Sequence, residues 1–375
     1  MLAGLLAAVV AALAFANGAN DVSKGVAPLV GSGVAGYRAA IAWGTAWTAI
    51  GAALGAAFAG AMLTTFGAGL LAPGVTPGFA AAAAALVGTA AWVALATRTG
   101  LPVSTTHSLI GAVIGATLLA AGPEAIRWSA LGGKVVLPLL LSPVVAFALT
   151  AGVAWALENL GGVTANSSDC LCVVPTPALA LSARPGQPAV LLRQQPLHVT
   201  VTGSADACAR APAGTLRLTL GQGQWLTSAA VSLARGMNDA PKMVALGLAA
   251  AALLPSGTVQ APALFLTVAA GMVAGGLVAG RRVTHLLSEK VTTLDTGTGL
   301  AASAVTALLV SVGAVYGLPM STTHVASGGL AGVGAQRGSL NRTTMGQMAL
   351  AWVVTLPASA ALAALAEFAA RKLGA

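Results

Sequence analysis

The sequence predicts an all-α polytopic membrane protein: two inverted repeats with broken or re-entrant helices, plus a small β-containing soluble insert between them. Three observations carry this expectation. Only 7% of the 375 residues are charged and 57% are hydrophobic, whereas an ordinary soluble domain carries about 25% charged residues. Apolar runs of spanning length recur along the chain. Two polar motifs each occur twice, in the same order and at nearly the same spacing.

A core of this size in water would leave a surface that so few charges cannot cover. Lipid is therefore the solvent for most of the chain. A spanning helix needs roughly 20 mostly apolar residues, and residues 39–63, 79–96, 131–157, 261–280, 300–316 and 345–368 meet or approach that length. The run over residues 2–16 is shorter and ends at a polar motif, which reads as a half-helix or re-entrant segment. It lacks a basic n-region and runs into a motif that recurs later, so it reads as part of the mature protein. The net charge of +9 is spread over loops and helix ends. With no basic stripe interleaved with aromatics it reads as orientation by the positive-inside rule, not as a nucleic-acid surface.

The repeats set the boundaries. Gly18-Ala19-Asn20-Asp21-Val22-Ser23-Lys24 returns as Gly236-Met237-Asn238-Asp239-Ala240-Pro241-Lys242, and Pro102-Val103-Ser104-Thr105-Thr106-His107 returns as Pro319-Met320-Ser321-Thr322-Thr323-His324. Gly111 and Gly115 follow the first histidine at the spacing of Gly328 and Gly332 after the second, a small-residue face for close helix packing in lipid. Repeat 1 covers residues 1–158 and repeat 2 covers residues 224–375. The polar stretch 159–223 between them holds alternating runs, Leu197 to Thr202 and Thr215 to Leu220, that read as short strands. Cys170, Cys172 and Cys208 all lie there with His198. Their spacing makes a poor zinc site, since structural zinc takes four well-placed ligands, and a disulfide or reduced thiols fit better.

The loops give orientation. Residues 64–78 carry no Lys or Arg, whereas the matching loop of repeat 2 carries Arg281, Arg282 and Lys290. Arg38 precedes the first long helix, and its counterpart loop, residues 255–260, is uncharged. By the positive-inside rule the halves are inverted, a transporter signature.

Asn20-Asp21 and Asn238-Asp239 each sit between apolar runs. An ionised residue at membrane depth costs roughly 2.5–3.5 kcal/mol on insertion scales and generally lines a substrate or ion path. The flanking glycine suggests a helix interrupted at the motif. Pro102 and Pro319 pre-set a chain reversal, and Ser104, Thr105, Thr106 and Ser321, Thr322, Thr323 follow at helix starts. Free N–H donors, hydroxyls and the helix dipole there suit an oxyanion. The alternative is that these hydroxyls only cap their own helices; duplication beside an intramembrane Asn-Asp favours a binding site. Lys24 and Lys242 lie three residues after their aspartates, on the same helical face. Each forms an internal ion pair, contacts an anion directly, or does both. His107 and His324 read as proton carriers or hydrogen-bonded structural residues.

These four blocks, in this order, resemble the inorganic phosphate transporter (PiT) family, and the resemblance covers both membrane halves. It implies a multi-pass cell-membrane protein that moves inorganic phosphate by secondary transport coupled to sodium or protons, often as a homodimer. It also implies that Asn20, Ser104, Thr105, Thr106, Asn238, Ser321, Thr322 and Thr323 hold phosphate, with Asp21 and Asp239 holding the coupling cation and no other cofactor. Where many members continue with Val-Ala-Asn-Ala, this chain has Val-Ser-Lys, and Lys242 occupies the matching place. An ammonium in both positions competes with sodium for the aspartates. Other readings are a sulfate transporter, a passive anion channel, or an intramembrane hydrolase using Ser104 or Ser321 with a histidine. Carboxylates at depth disfavour the simple channel, and no oriented base is evident for a hydrolase.

Overall fold

The computed structural model describes residues 2–67, 69–76, 78–160, 220–254 and 259–374, together with five strands between residues 170 and 219. The first half builds α1 (Leu2–Gly31), α2 (Tyr37–Ala57), α3 (Gly60–Gly67), α4 (Phe79–Thr99), α5 (Thr105–Ala121) and α6 (Leu137–Leu160). A π-helical stretch, Leu131–Val136, leads into α6. The second half builds α7 (Leu220–Ala251), α8 (Ala261–Ala279), α9 (Arg281–His285), α10 (Thr296–Val315), α11 (Thr322–Gln336) and α12 (Arg342–Lys372). Each motif therefore falls six helices after its first copy.

Among the described residues, seven helical segments are long and apolar enough to cross a membrane. Their outward faces are apolar, with Leu140, Val144, Leu266, Val278, Leu350 and Val353 strongly exposed. Exposed bulky apolar residues in such numbers fit a lipid-facing belt. The predicted run 39–63 is divided after Ala57, where α2 ends with Phe58 as its C-cap and α3 begins at Gly60.

Two expectations about broken helices are corrected. Residues 2–16 are not a half-helix; they open the 30-residue α1, which continues unbroken through Gly18, Asn20 and Asp21. The 32-residue α7 likewise runs through Gly236, Asn238 and Asp239. The motif glycines serve packing instead. A Cβ on Gly18 would collide with the Met272 backbone of α8, and one on Gly236 would collide with the Thr48–Ala52 backbone of α2. Each half's motif helix thus lies against the second helix of the other half. The real interruptions are at the other motif. Gly100, in the left-handed region, ends α4, and the chain turns through Pro102 before Ser104 caps α5. In the second half α10 ends at Tyr316, and Ser321 caps α11. Proline and a capping serine break the ladder where a helix-packing glycine does not.

Between the halves, β1 (Cys170–Pro175) pairs antiparallel with β4 (Leu197–Thr202) and β5 (Leu216–Thr219), and β2 (Ala178–Ser182) pairs with β3 (Val190–Gln194). Leu220, expected in a strand, instead starts α7. Cys208 and the side chains of Cys170, Cys172 and His198 lie outside the described residues, and with them the question of disulfide or zinc.

Candidate functional site

The motif residues meet halfway along α1 and α7. A 30-residue helix is about 45 Å long, so Asn20 and Asp21 are remote from both of its ends. Both Ser-Thr-Thr starts point into the same place. Ser104 and Ser321 adopt nearly identical extended N-cap conformations, and each side chain accepts from the backbone N–H three residues on, at His107 and His324. The capping role considered for these hydroxyls therefore belongs to the serines, while Thr105, Thr106 and Thr323 reach across.

In the first half, Lys24 Nζ lies 2.5 Å from Asp21 Oδ1 and donates to Asn20 Oδ1 at 2.7 Å. Thr105 Oγ1 and Asn17 Nδ2 both donate to Asp21 Oδ2, at 3.2 and 3.1 Å. Asn20 Nδ2 donates to Thr97 Oγ1 and to the Leu101 carbonyl, and Val103 N donates back to Asn20 Oδ1. Asp21 is thus held by three donors, as a buried carboxylate requires.

The second half is looser. Lys242 Nζ is 3.5 Å from Asp239 Oδ1, and it donates at 2.9 Å to Thr106 Oγ1 and to the Met320 carbonyl. Asn238 Nδ2 donates to Asp239 Oδ1 and to the Met320 carbonyl. Thr106 Oγ1 donates to the Met320 carbonyl and Thr323 Oγ1 to the Val103 carbonyl, so the two chain reversals are laced to each other. Asn17 Nδ2 also reaches Asp239 Oδ2 at 3.3 Å and joins the halves. All twelve expected residues are buried: Asn20, Asp21, Lys24, Ser104, Thr105, Thr106, Asn238, Asp239, Lys242, Ser321, Thr322 and Thr323. Thr322 Oγ1 and Asn238 Oδ1 have no partner.

The histidines lie together beside this cluster, with ring centroids 4.5 Å apart. His107 Nδ1 contacts Ser104 Oγ at 2.9 Å, and His324 Nδ1 contacts the Leu139 carbonyl at 3.3 Å and packs on Trp352. That geometry fits fixed structural residues. A serine engaged as an N-cap is a poor nucleophile, so the hydrolase reading gains nothing from the His107–Ser104 contact.

Two site residues escaped sequence reasoning: Asn17 and Arg235. They hold the same place in the two repeats, immediately before Gly18 and Gly236, and extending the motif by one residue exposes the mismatched pair. Beyond the cluster, a cavity of about 910 Å³ has Thr97, the residue that accepts from Asn20, in its lining. Its walls include Arg98, Arg281, Arg282 and Lys290, with Glu289 as the acidic group.

A bundle of spanning helices enclosing one dense ionic cluster, with a basic cavity that shares Thr97 with it, defines a multi-pass membrane protein. Residues 17–363 match the family model described as "Phosphate transporter family". The chain belongs to that family. It is 29% identical to a "Probable low-affinity inorganic phosphate transporter" of Mycobacterium bovis, over 94% of this chain and 74% of that protein. A protein of Rhizobium meliloti with the same description is 28% identical over 99% and 96%, and a "Putative phosphate permease" of Haemophilus influenzae is 26% identical over 96% and 94%. The solved structure described as "The sodium-dependent phosphate transporter" superposes with a TM-score of 0.75 at 21% identity, over 99% of this chain and 100% of that one, and so shares its fold.

Proposed function

We propose that this chain carries inorganic phosphate across the cell membrane by alternating access between two inverted halves, driven by a proton or sodium gradient. The observation that carries the reading is the buried pair of Asp-Lys dyads lying beneath two laced Ser-Thr-Thr helix starts. Helix N-termini with hydroxyls favour an oxyanion, and Asn20, Asn238 and the six Ser and Thr residues surround it. Lys24 and Lys242 supply fixed positive charge where a coupling cation would neutralise Asp21 and Asp239. Bound sodium is then partly replaced, and proton coupling or weak sodium dependence follows. The opposite placement of basic residues in matching loops supports inversion. The basic cavity reaching Thr97 supports an anion route from one face. In this reading residues 1–158 and 224–375 are the working halves, 159–223 is a soluble module outside the bilayer, and the unit in the membrane is a homodimer, as the family resemblance implies.

The test is uptake of radiolabelled phosphate by proteoliposomes with sodium and pH gradients imposed separately. Uptake driven by the pH gradient without sodium, and abolished by Asp21→Asn, is the expected result. Uptake falling to background on sodium removal at a constant pH gradient overturns the lysine substitution. Transport of sulfate in preference to phosphate overturns the substrate.

A further inference from the structure

Arg235 is the outlier of the ionic cluster. It is only 1% exposed, in the middle of α7, one turn before Asn238. Its Nη2 donates to Thr48 Oγ1 on α2 at 3.0 Å, while Nε and Nη1 have no partner. Lys24 and Lys242 each have a carboxylate within ion-pair distance; among the described residues Arg235 has none. Among the described residues the motif cluster holds three buried cationic side chains, Lys24, Lys242 and Arg235, against two buried carboxylates, Asp21 and Asp239; the further buried carboxylate, Glu367, is paired with Arg371 near the end of α12. Passing a proton from a lysine to an aspartate leaves that imbalance unchanged. An uncompensated buried charge costs several kcal/mol, and unmet N–H donors add to it. Of the other orphaned polar atoms nearby, Ser232 Oγ, Asn238 Oδ1 and Thr322 Oγ1 belong to the same half as Arg235, and Asn17 Oδ1 to the other.

We infer that Arg235 is a substrate-contacting residue that binds the transported oxyanion through its free guanidinium N–H groups, making the second half the principal anion-holding side of the site. The inference rests on the phosphate reading above. A guanidinium presents five donors in a plane and matches tetrahedral oxyanions better than an ammonium does. Its repeat counterpart is Asn17, which carries no charge and whose Nδ2 is committed to Asp21, Thr105 and Asp239. The pseudo-symmetric scaffold therefore offers its spare positive charge on one side only.

The experiment is titration of inorganic phosphate into the purified full chain by calorimetry, paired with the KM and kcat of phosphate uptake. Arg235→Gln, Arg235→Lys and Thr48→Val are compared with the wild type. Arg235→Gln is expected to weaken binding about ten- to hundredfold, the loss of one or two charge-assisted hydrogen bonds, and to raise KM more than it lowers kcat. Arg235→Lys keeps the charge but loses the fork, and is expected to fall between. Thr48→Val keeps a free guanidinium and is expected to bind within a few-fold of wild type. Wild-type affinity in Arg235→Lys together with Arg235→Gln, or in Arg235→Lys alone if Arg235→Gln does not fold, overturns the inference while the phosphate reading stands. So does a loss in Thr48→Val equal to that in Arg235→Gln, since Arg235 then acts only as an anchor for α2. No phosphate binding by the wild type overturns both.

Discussion

The two halves share a plan but not a state. In the first, Asp21 is saturated by Lys24, Thr105 and Asn17, and Asn20 is held on both its oxygen and its nitrogen. In the second, the Lys242–Asp239 pair is an ångström longer, at 3.5 Å against 2.5 Å. Thr322, Asn238 and Arg235 there all carry polar atoms without partners. Duplication supplies a symmetric frame, and single substitutions such as Asn17 against Arg235 then divide the work. On the proposed reading both halves surround the solute; the first, where Asn17 Oδ1 lacks a partner, is the more tightly bonded, and the second supplies the free charge of Arg235.

The largest expected effect that tests this contrast is on stability. Lys24→Met strips the ammonium from the tighter dyad and leaves a buried carboxylate, a loss of about 3–5 kcal/mol. Lys242→Met is expected to cost less, because its ion pair is longer. Thermal unfolding in detergent at pH 7 gives the order, and equal losses would end the distinction between the halves. A smaller contrast separates the threonines. Thr105→Val removes a donor from Asp21 and is expected to cost about 1–3 kcal/mol. Thr322→Val removes a hydroxyl with no partner, leaves the melting temperature nearly unchanged, and weakens phosphate binding instead. Reversal of that pattern in paired melting and titration data would assign the anion to the first half.

The smallest effect lies at the protein's edge, outside the spans. Asp295 caps α10, accepting from Thr298 N at 2.8 Å, and is ion-paired to Arg337, which also holds Glu158 at 2.7 Å. Burial pushes the Asp295 carboxyl up, but the Thr298 amide and the Arg337 guanidinium outweigh it and hold it below the ordinary 3.8. A carboxylate lowered on folding stabilises fully above its unfolded value, and that contribution fades as the pH falls below about 4. Asp295→Ala is expected to cost about 1 kcal/mol at neutral pH, and to flatten the acid side of a melting-temperature profile. A variant whose acid limb matches the wild type removes Asp295 from the account.

Much of this was legible before the structure. The apolar run at 261–280 matches α8 to a residue, and those at 300–316 and 345–368 fall on α10 and α12, which start four and three residues earlier, because hydropathy reports lipid contact directly. The same signal passed over α7, where Arg235, Asp239 and Lys242 interrupt the apolar pattern, although their side chains are hidden inside the bundle. Hydropathy measures composition and is blind to which way a charge faces. The breaks were misplaced for a related reason. Glycine beside Asn-Asp reads as a helix breaker in isolation, and only the neighbouring backbone of Met272 or Thr48 reveals it as a contact point. The doubled motifs announced every site residue that recurs. Arg235 appears once, and it shows in the sequence only as the mismatch with Asn17 one residue outside the repeated motif.

The crossed packing of motif helices has a consequence for how the chain is made. Gly18 packs on the backbone of Met272 and Gly236 on that of Thr48, so each motif helix is covered in part by a helix of the other half. At a synthesis rate of about 5–20 residues per second, α1 waits on the order of tens of seconds for α8 to emerge. During that interval Asn17, Asp21 and Lys24 have no permanent shelter. Assembly is therefore decided late, by the second half arriving to close over the first. Truncation ahead of α8 is expected to leave α1 without its packing partner, exposed to membrane quality control.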